Sequence, residues 1–168
     1  NIEKVANDPQ NREAREAMML GATHAGLAVS NTSTALIHGL SRPVGAFFHV
    51  PHGMSNAMVL PLVTQFSLNS ALPQYAAAAR ALGCASSTDS DQIAGAKMVE
   101  AFIGLNRRLK VPTPQEFGID KTRYLDLLPE MVRQGLASGT PENNPRVPTA
   151  AEMTRLYELA FDGRMEGP

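Results

Sequence analysis

Between Glu16 and Ser70 the only formally charged side chain is Arg42, and this feature limits the fold more than any other. A long stretch so poor in charge makes a poor solvated surface and is expected to be folded into an interior. It is not a membrane span. Ser30-Asn31-Thr32-Ser33-Thr34, Pro43, Pro51 and Pro61 divide it, so no apolar run approaches the roughly 20 residues that cross a bilayer.

Its apolar residues recur at helical spacing rather than in alternation. A first helix is predicted from the cap-like pair Asp8-Pro9 to Val29, with Leu20 to Val29 apolar or small all round, as in a helix buried among others. A fresh start after Thr34 gives a short buried helix carrying His38 and limited by Pro43. Gly45 to Val50 has strand propensity but no partner run, and reads as an irregular connector. A third, kinked helix follows over Met54 to Leu68 in spite of Pro61. Pro73 to Leu82 is a short helix stopped by Gly83.

Beyond the Ser/Thr-rich link at Ala85 to Ser90, the spacing Met98, Phe102, Leu105, Leu109 predicts an amphipathic helix closed by Val111-Pro112-Thr113-Pro114. Asp120 caps another, marked by Tyr124, Leu127, Leu128, Met131 and Val132. The Thr149-Ala-Ala-Glu152 box opens the last, with Met153, Leu156, Tyr157 and Ala160 inward. Gly139 to Pro145 reads as an exposed loop. The expectation is an all-α bundle of about seven helices, forming one domain over residues 1–168.

Composition bounds the function. The 168 residues suffice for a sizeable core, and 43% hydrophobic with 18% charged residues fits a globular chain. A net charge of -1 with no Lys/Arg block removes the electrostatic footprint of a nucleic-acid or membrane-surface binder. Cys84 is the only cysteine, so neither an intrachain disulfide nor a cysteine zinc site is available, which suits the cytoplasm. The chain starts with Asn rather than Met and reads as a fragment or processed product of something longer.

All four histidines, His24, His38, His49 and His52, fall in the charge-poor stretch. A low-dielectric surrounding keeps imidazole neutral, the form that ligates metals. Spacing alone leaves a hydrogen-bonded core histidine the commoner outcome, and His24 is read that way. No His-Glu-x-x-His, no close carboxylate pair and no glycine-rich phosphate loop is present.

The segment Ile37-His-Gly-Leu-Ser-Arg-Pro-Val-Gly-Ala-Phe-Phe-His-Val-Pro-His-Gly-Met-Ser-Asn-Ala-Met-Val-Leu-Pro61 resembles the iron-containing alcohol dehydrogenases. A histidine followed by a small residue opens it, a glycine-aromatic stretch crosses it, and Pro-His-Gly with Asn-Ala and an apolar-Pro pair closes it. Ala14 to Met18, Ala25-Gly26, Ser30-Asn31 and Asn144-Pro145-Arg146 agree with that family's C-terminal, dehydroquinate synthase-like helical domain. The resemblance implies His38 and His52 as two metal ligands for Fe(II) or Zn(II). It implies two more ligands from an Asp-x-x-x-His, which this sequence lacks, and an upstream α/β domain that binds NAD(P).

The activity implied is hydride transfer between a small alcohol, aldehyde or ketone and nicotinamide, in a homo-oligomeric enzyme. A maleylacetate reductase-like member of the superfamily, or a non-catalytic helical metal-binding or assembly module, is the alternative. Arg42 stands where many members carry a second histidine, and Val29 where an aromatic residue often lies beside the substrate; both are taken as substrate-side positions. Arginine cannot act as a base, so Arg42 either caps the short helix before Pro43 or pairs with an anionic substrate group. No catalytic acid or base is assigned. Pro43 and Gly45 are expected to reverse the chain so that His38 and His52 face each other.

Overall fold

The computed structural model describes residues 1–166, which form eight α-helices and two short 3₁₀ turns and, among the described residues, no strand. The all-α expectation holds. Contacts along the chain define two compact units, Asn1–Thr34 and a second that begins at Ala35.

The first unit holds α1 (Ile2–Asn7), which the sequence reading did not anticipate, and α2 (Arg12–Asn31). The cap of α2 is Asn11, whose side chain accepts from the Ala14 amide. The expected cap Asp8 instead folds back on Gln10 in the turn after α1. Only Ala14 of α2 is buried. Leu20 is 58% and Leu27 59% exposed, and His24 is exposed as well, which corrects the expectation of a buried helix with a core histidine. Apolar composition permits burial but does not supply a partner surface.

The second unit comprises α3 (Leu36–Phe48), α4 (His52–Ser67), α5 (Leu72–Ala81), α6 (Asp91–Arg108), α7 (Lys121–Ala137) and α8 (Ala150–Phe161). Helix α3 packs on α4 and α7, α4 also on α6 and α8, and α5 on α6. Leu36, Leu40, Phe66, Tyr124, Met131, Met153, Leu156 and Tyr157 fill the main core. Ala76, Ala79, Ala94 and Met98 form a smaller one between α5 and α6, where alanine lets the backbones approach.

Local chemistry sets most of the ends. Ser90, Asp120 and Thr149 each accept from an amide at the start of α6, α7 and α8, and Thr149 with Glu152 completes a capping box. Gly83 stops α5 with φ 75°, a left-handed conformation open to glycine at little steric penalty.

Pro43 does not end α3, contrary to expectation. A proline within a helix leaves the carbonyl four residues earlier without its amide donor, here Gly39. The buried Tyr157 hydroxyl points its one proton at this gap, shared between Leu40 O at 3.0 Å and the freed Gly39 O at a longer 3.4 Å. Pro61 in α4 is served the same way, since Asn106 Nδ2 donates to Ala57 O at 2.7 Å. Both donors come from distant positions, so the helices continue through prolines that would otherwise break them.

Residues 45–48 are therefore the last turn of α3 rather than an irregular connector, and the reversal falls later than Pro43-Gly45. His49 ends α3 in the left-handed region at φ 56°, and Pro51 precedes α4. The 139–145 loop is not exposed throughout either. Thr140–Asn143 forms a 3₁₀ turn with Thr140 and Pro141 buried, and Asn144 Nδ2 donates to Ser67 Oγ at 2.8 Å. Gly39 makes room for it, because a Cβ there would lie 2.8 Å from Pro141 Cγ. Gly135 similarly admits α7 to α3, since its Cβ would lie 2.6 Å from Gly39 O.

Candidate metal centre

Helix α3 presents His38 in its first turn, and α4 begins at His52 itself. The two imidazole rings lie with centroids 5.1 Å apart and planes tilted by 53°. His38 is half-buried and His52 exposed, so one ring is held by the fold while the other faces open space. Burial, with smaller contributions from His52 and Arg42, holds the His38 pKa below its ordinary value. Each cause disfavours the protonated ring and so favours the form that keeps a lone pair for a ligand.

A side-chain relay fixes His52. Ser41 Oγ donates to Asn56 Oδ1 at 2.5 Å, which turns the Asn56 amide nitrogen toward His52 Nε2 at 3.2 Å. This contact lies on the Nε2 edge of the His52 ring, and its direction follows the imidazole tautomer. Ser41 is fully buried and anchors the relay in α3. Sequence reasoning passed over Ser41 and Asn56. The signal for Asn56 was available, since it lies four residues after His52 on the same helix face, but its link to Ser41 depends on how α3 and α4 cross.

Arg42, one helical turn after His38, is exposed and makes no hydrogen bond or ion pair among the described residues. Because α3 runs on to Phe48, there is no helix end before Pro43 for it to cap. With His38, Pro43, Ala46, Gln134 and Ser138 it lines a recess of about 230 Å³ between α3 and α7. The structure thus brings His38, His52 and Arg42 into one neighbourhood. Val29 belongs to α2 in the first unit, where it is 50% exposed.

His49 is exposed at the end of α3, and Cys84 donates its thiol to Ala79 O after α5. No group of three or more His, Cys, Asp or Glu that could hold a metal ion occurs among the described residues. The two neighbouring imidazoles supply two nitrogen donors at most, whereas a catalytic metal site ordinarily uses three protein ligands.

A family model described as "Fe-containing alcohol dehydrogenase family, C-terminal" matches residues 1–161. The chain is 29% identical to an NADPH-dependent butanol dehydrogenase of Clostridium saccharobutylicum over 90% of its length and 39% of that protein's. It is 32% identical to a lactaldehyde reductase of Escherichia coli, over 89% of this chain and 38% of that one. A crystal structure of a 1,3-propanediol oxidoreductase superposes with a TM-score of 0.88 at 25% identity, covering 96% of this chain and 41% of that chain. The iron-containing alcohol dehydrogenase of Corynebacterium glutamicum gives 0.74 at 28% identity, with the same two coverages. The chain thus spans about two fifths of the length of the proteins it matches. With the family model matched over residues 1–161 and the fold superposing on its solved members, the chain belongs to the Fe-containing alcohol dehydrogenase family and corresponds to its C-terminal region.

Proposed function

We propose that this chain is the metal-side half of an NAD(P)-linked dehydrogenase that interconverts a small alcohol and its aldehyde or ketone. The observation that carries this reading is the approach of the His38 and His52 rings to 5.1 Å from two different helices. His38 and His52 would hold Fe(II) or Zn(II); imidazole suits both. Such an ion supplies Lewis acidity toward an alcohol or carbonyl oxygen.

The chain's own residues supply placement. Burial disfavours the protonated form of His38, and the Ser41-Asn56 relay orients the His52 ring. The remaining ligands and the nucleotide site are assigned to an α/β domain N-terminal to these residues, in a homo-oligomeric cytoplasmic protein. Val29 is given to the substrate side by the resemblance alone.

Arg42 favours the maleylacetate reductase-like variant of this reading, because its unpaired guanidinium beside His38 can take a carboxylate on the substrate through two parallel hydrogen bonds.

One set of variants separates these readings, in a full-length protein carrying an upstream nucleotide-binding domain. His38→Ala should remove metal and turnover together and leave NAD(P) binding intact. Arg42→Ala should retain metal and lower turnover of carboxylate-bearing aldehydes by about 10- to 100-fold, as expected for a charge-assisted pair worth about 1.5–3 kcal/mol. Full metal content in His38→Ala would sink the dehydrogenase mechanism. Equal losses on neutral and anionic substrates in Arg42→Ala would remove its role in recognition.

A further inference from the structure

A second recess, of about 590 Å³, lies in the second unit and shares no lining residue with the one beside His38. Its size falls in the range of small-molecule sites. Met58 and Leu62 of α4, Ile103 of α6 and Met165 beyond α8 give it an apolar floor. The wall after α8 is held in place, because Gln65 Nε2 donates to Glu166 O at 3.1 Å and the Glu166 amide donates back to Gln65 Oε1 at 3.0 Å.

The rim is positive. Arg107 and Lys110 both line the recess and make no hydrogen bond or ion pair among the described residues. The third cation, Arg164, is paired with Asp162 at 2.7 Å. Among the described residues the one acidic lining residue, Glu116, accepts at its carboxylate from the Thr113 amide at 2.8 Å. Two unpaired cations therefore face an apolar trough.

The backbone at Lys110 is independent of that count. The residue that closes α5, α7 and α8 in the left-handed region is glycine, at Gly83, Gly139 and Gly163, and the one that closes α3 is His49 in the metal-side neighbourhood. Helix α6 ends on the same kind of turn, with the Lys110 amide donating to Arg107 O and the Val111 amide to Asn106 O, yet the left-handed residue is Lys110 at φ 55°. Glycine would relieve the strain, and strained non-glycine residues of this kind concentrate at ligand sites. A basic last turn on α6 is accounted for by the helix dipole alone. A lysine in the left-handed position is not.

We propose that this recess binds a small amphiphilic anion, a carboxylate with an aliphatic tail, its head on Arg107 and Lys110 and its tail along Met58, Leu62, Ile103 and Met165. The proposal does not depend on the metal site.

The test uses octanoate as probe on the 168-residue chain, followed through methyl resonances of Met58, Ile103 and Met165. Octanoate should shift them saturably, with octanol and acetate each binding at least about 10-fold more weakly, because one lacks the charge and the other the tail. Lys110→Gly combined with Arg107→Ala should weaken octanoate at least about 10-fold. Lys110→Gly alone should raise the unfolding midpoint, which separates loss of binding from loss of fold. Equal affinity for octanoate and octanol, or undiminished binding in the double variant, would overturn the proposal. So would methyl shifts that follow protein concentration rather than octanoate, since the recess would then be a contact between copies of the chain.

Discussion

The charge-poor part of helix α2 and helix α3 meet opposite fates in the structure. Beyond Glu16, α2 carries no charge, and α3 carries only Arg42. Yet α2 buries one residue, Ala14, whereas α3 buries Leu36, Gly39, Leu40, Ser41, Pro43 and Val44. The difference lies in what meets each helix. Helix α3 has a glycine where α7 approaches, a hydroxyl from α8 shared by the Leu40 and Gly39 carbonyls beside Pro43, and a serine tied to α4. The side chains of Ser30 and Asn31 on α2 and of Thr32 just after it bond instead to carbonyls four residues back along the same stretch of chain. Burial is set by partners, and hydropathy only makes it permissible.

The sharpest test of that contrast is one substitution made twice. Leu40→Ala, at a position 1% exposed, should destabilise the chain by about 2–5 kcal/mol through lost burial and the cavity left behind. A smaller effect is expected at the hydrogen bond that carries α3 through Pro43. Tyr157→Phe leaves that backbone without its buried donor, and the denaturant midpoint should fall by an amount equivalent to about 1–3 kcal/mol. If Tyr157→Phe proved neutral, the account of how the helix passes Pro43 would be wrong. The smallest effect belongs to Leu27→Ala on α2, where a side chain 59% exposed has little to lose, and the change should stay within about 0.5 kcal/mol. A loss there as large as at Leu40 would erase the distinction between the helices.

Much of the fold was legible because its signals are local. Asp120, Gly83 and the Thr149-Glu152 box each act within a few residues, and each marks the end that it was read to mark. What was misread depends on distant residues. Pro43 looked like a stop because its remedy, Tyr157, lies more than a hundred positions later. The 139–145 loop looked exposed because Gly39, a remote residue, makes the space that buries it. His24 looked like a core residue because its neighbours are apolar, and nothing in its own segment shows that they remain exposed.

The site divides along the same line. His38 and His52 stood out through a local motif and a resemblance, and they do lie side by side. The Ser41-Asn56 relay and the recess that places Arg42 opposite Gln134 need the crossings of α3 with α4 and α7, which no local pattern specifies.

The central claim is that His38 and His52 offer their nitrogens to one shared ion. Zinc titration of the chain, read through the imidazole ¹⁵N resonances, tests it most directly, because coordinated and free ring nitrogens have distinct shifts. The account predicts that one nitrogen of His38 and one of His52 move together along a single binding curve while His24 and His49 stay still. It further predicts that His38→Ala abolishes the response of His52. A response from His52 that persists in His38→Ala, or a titration in which either residue stays unmoved while His24 or His49 responds, would contradict it.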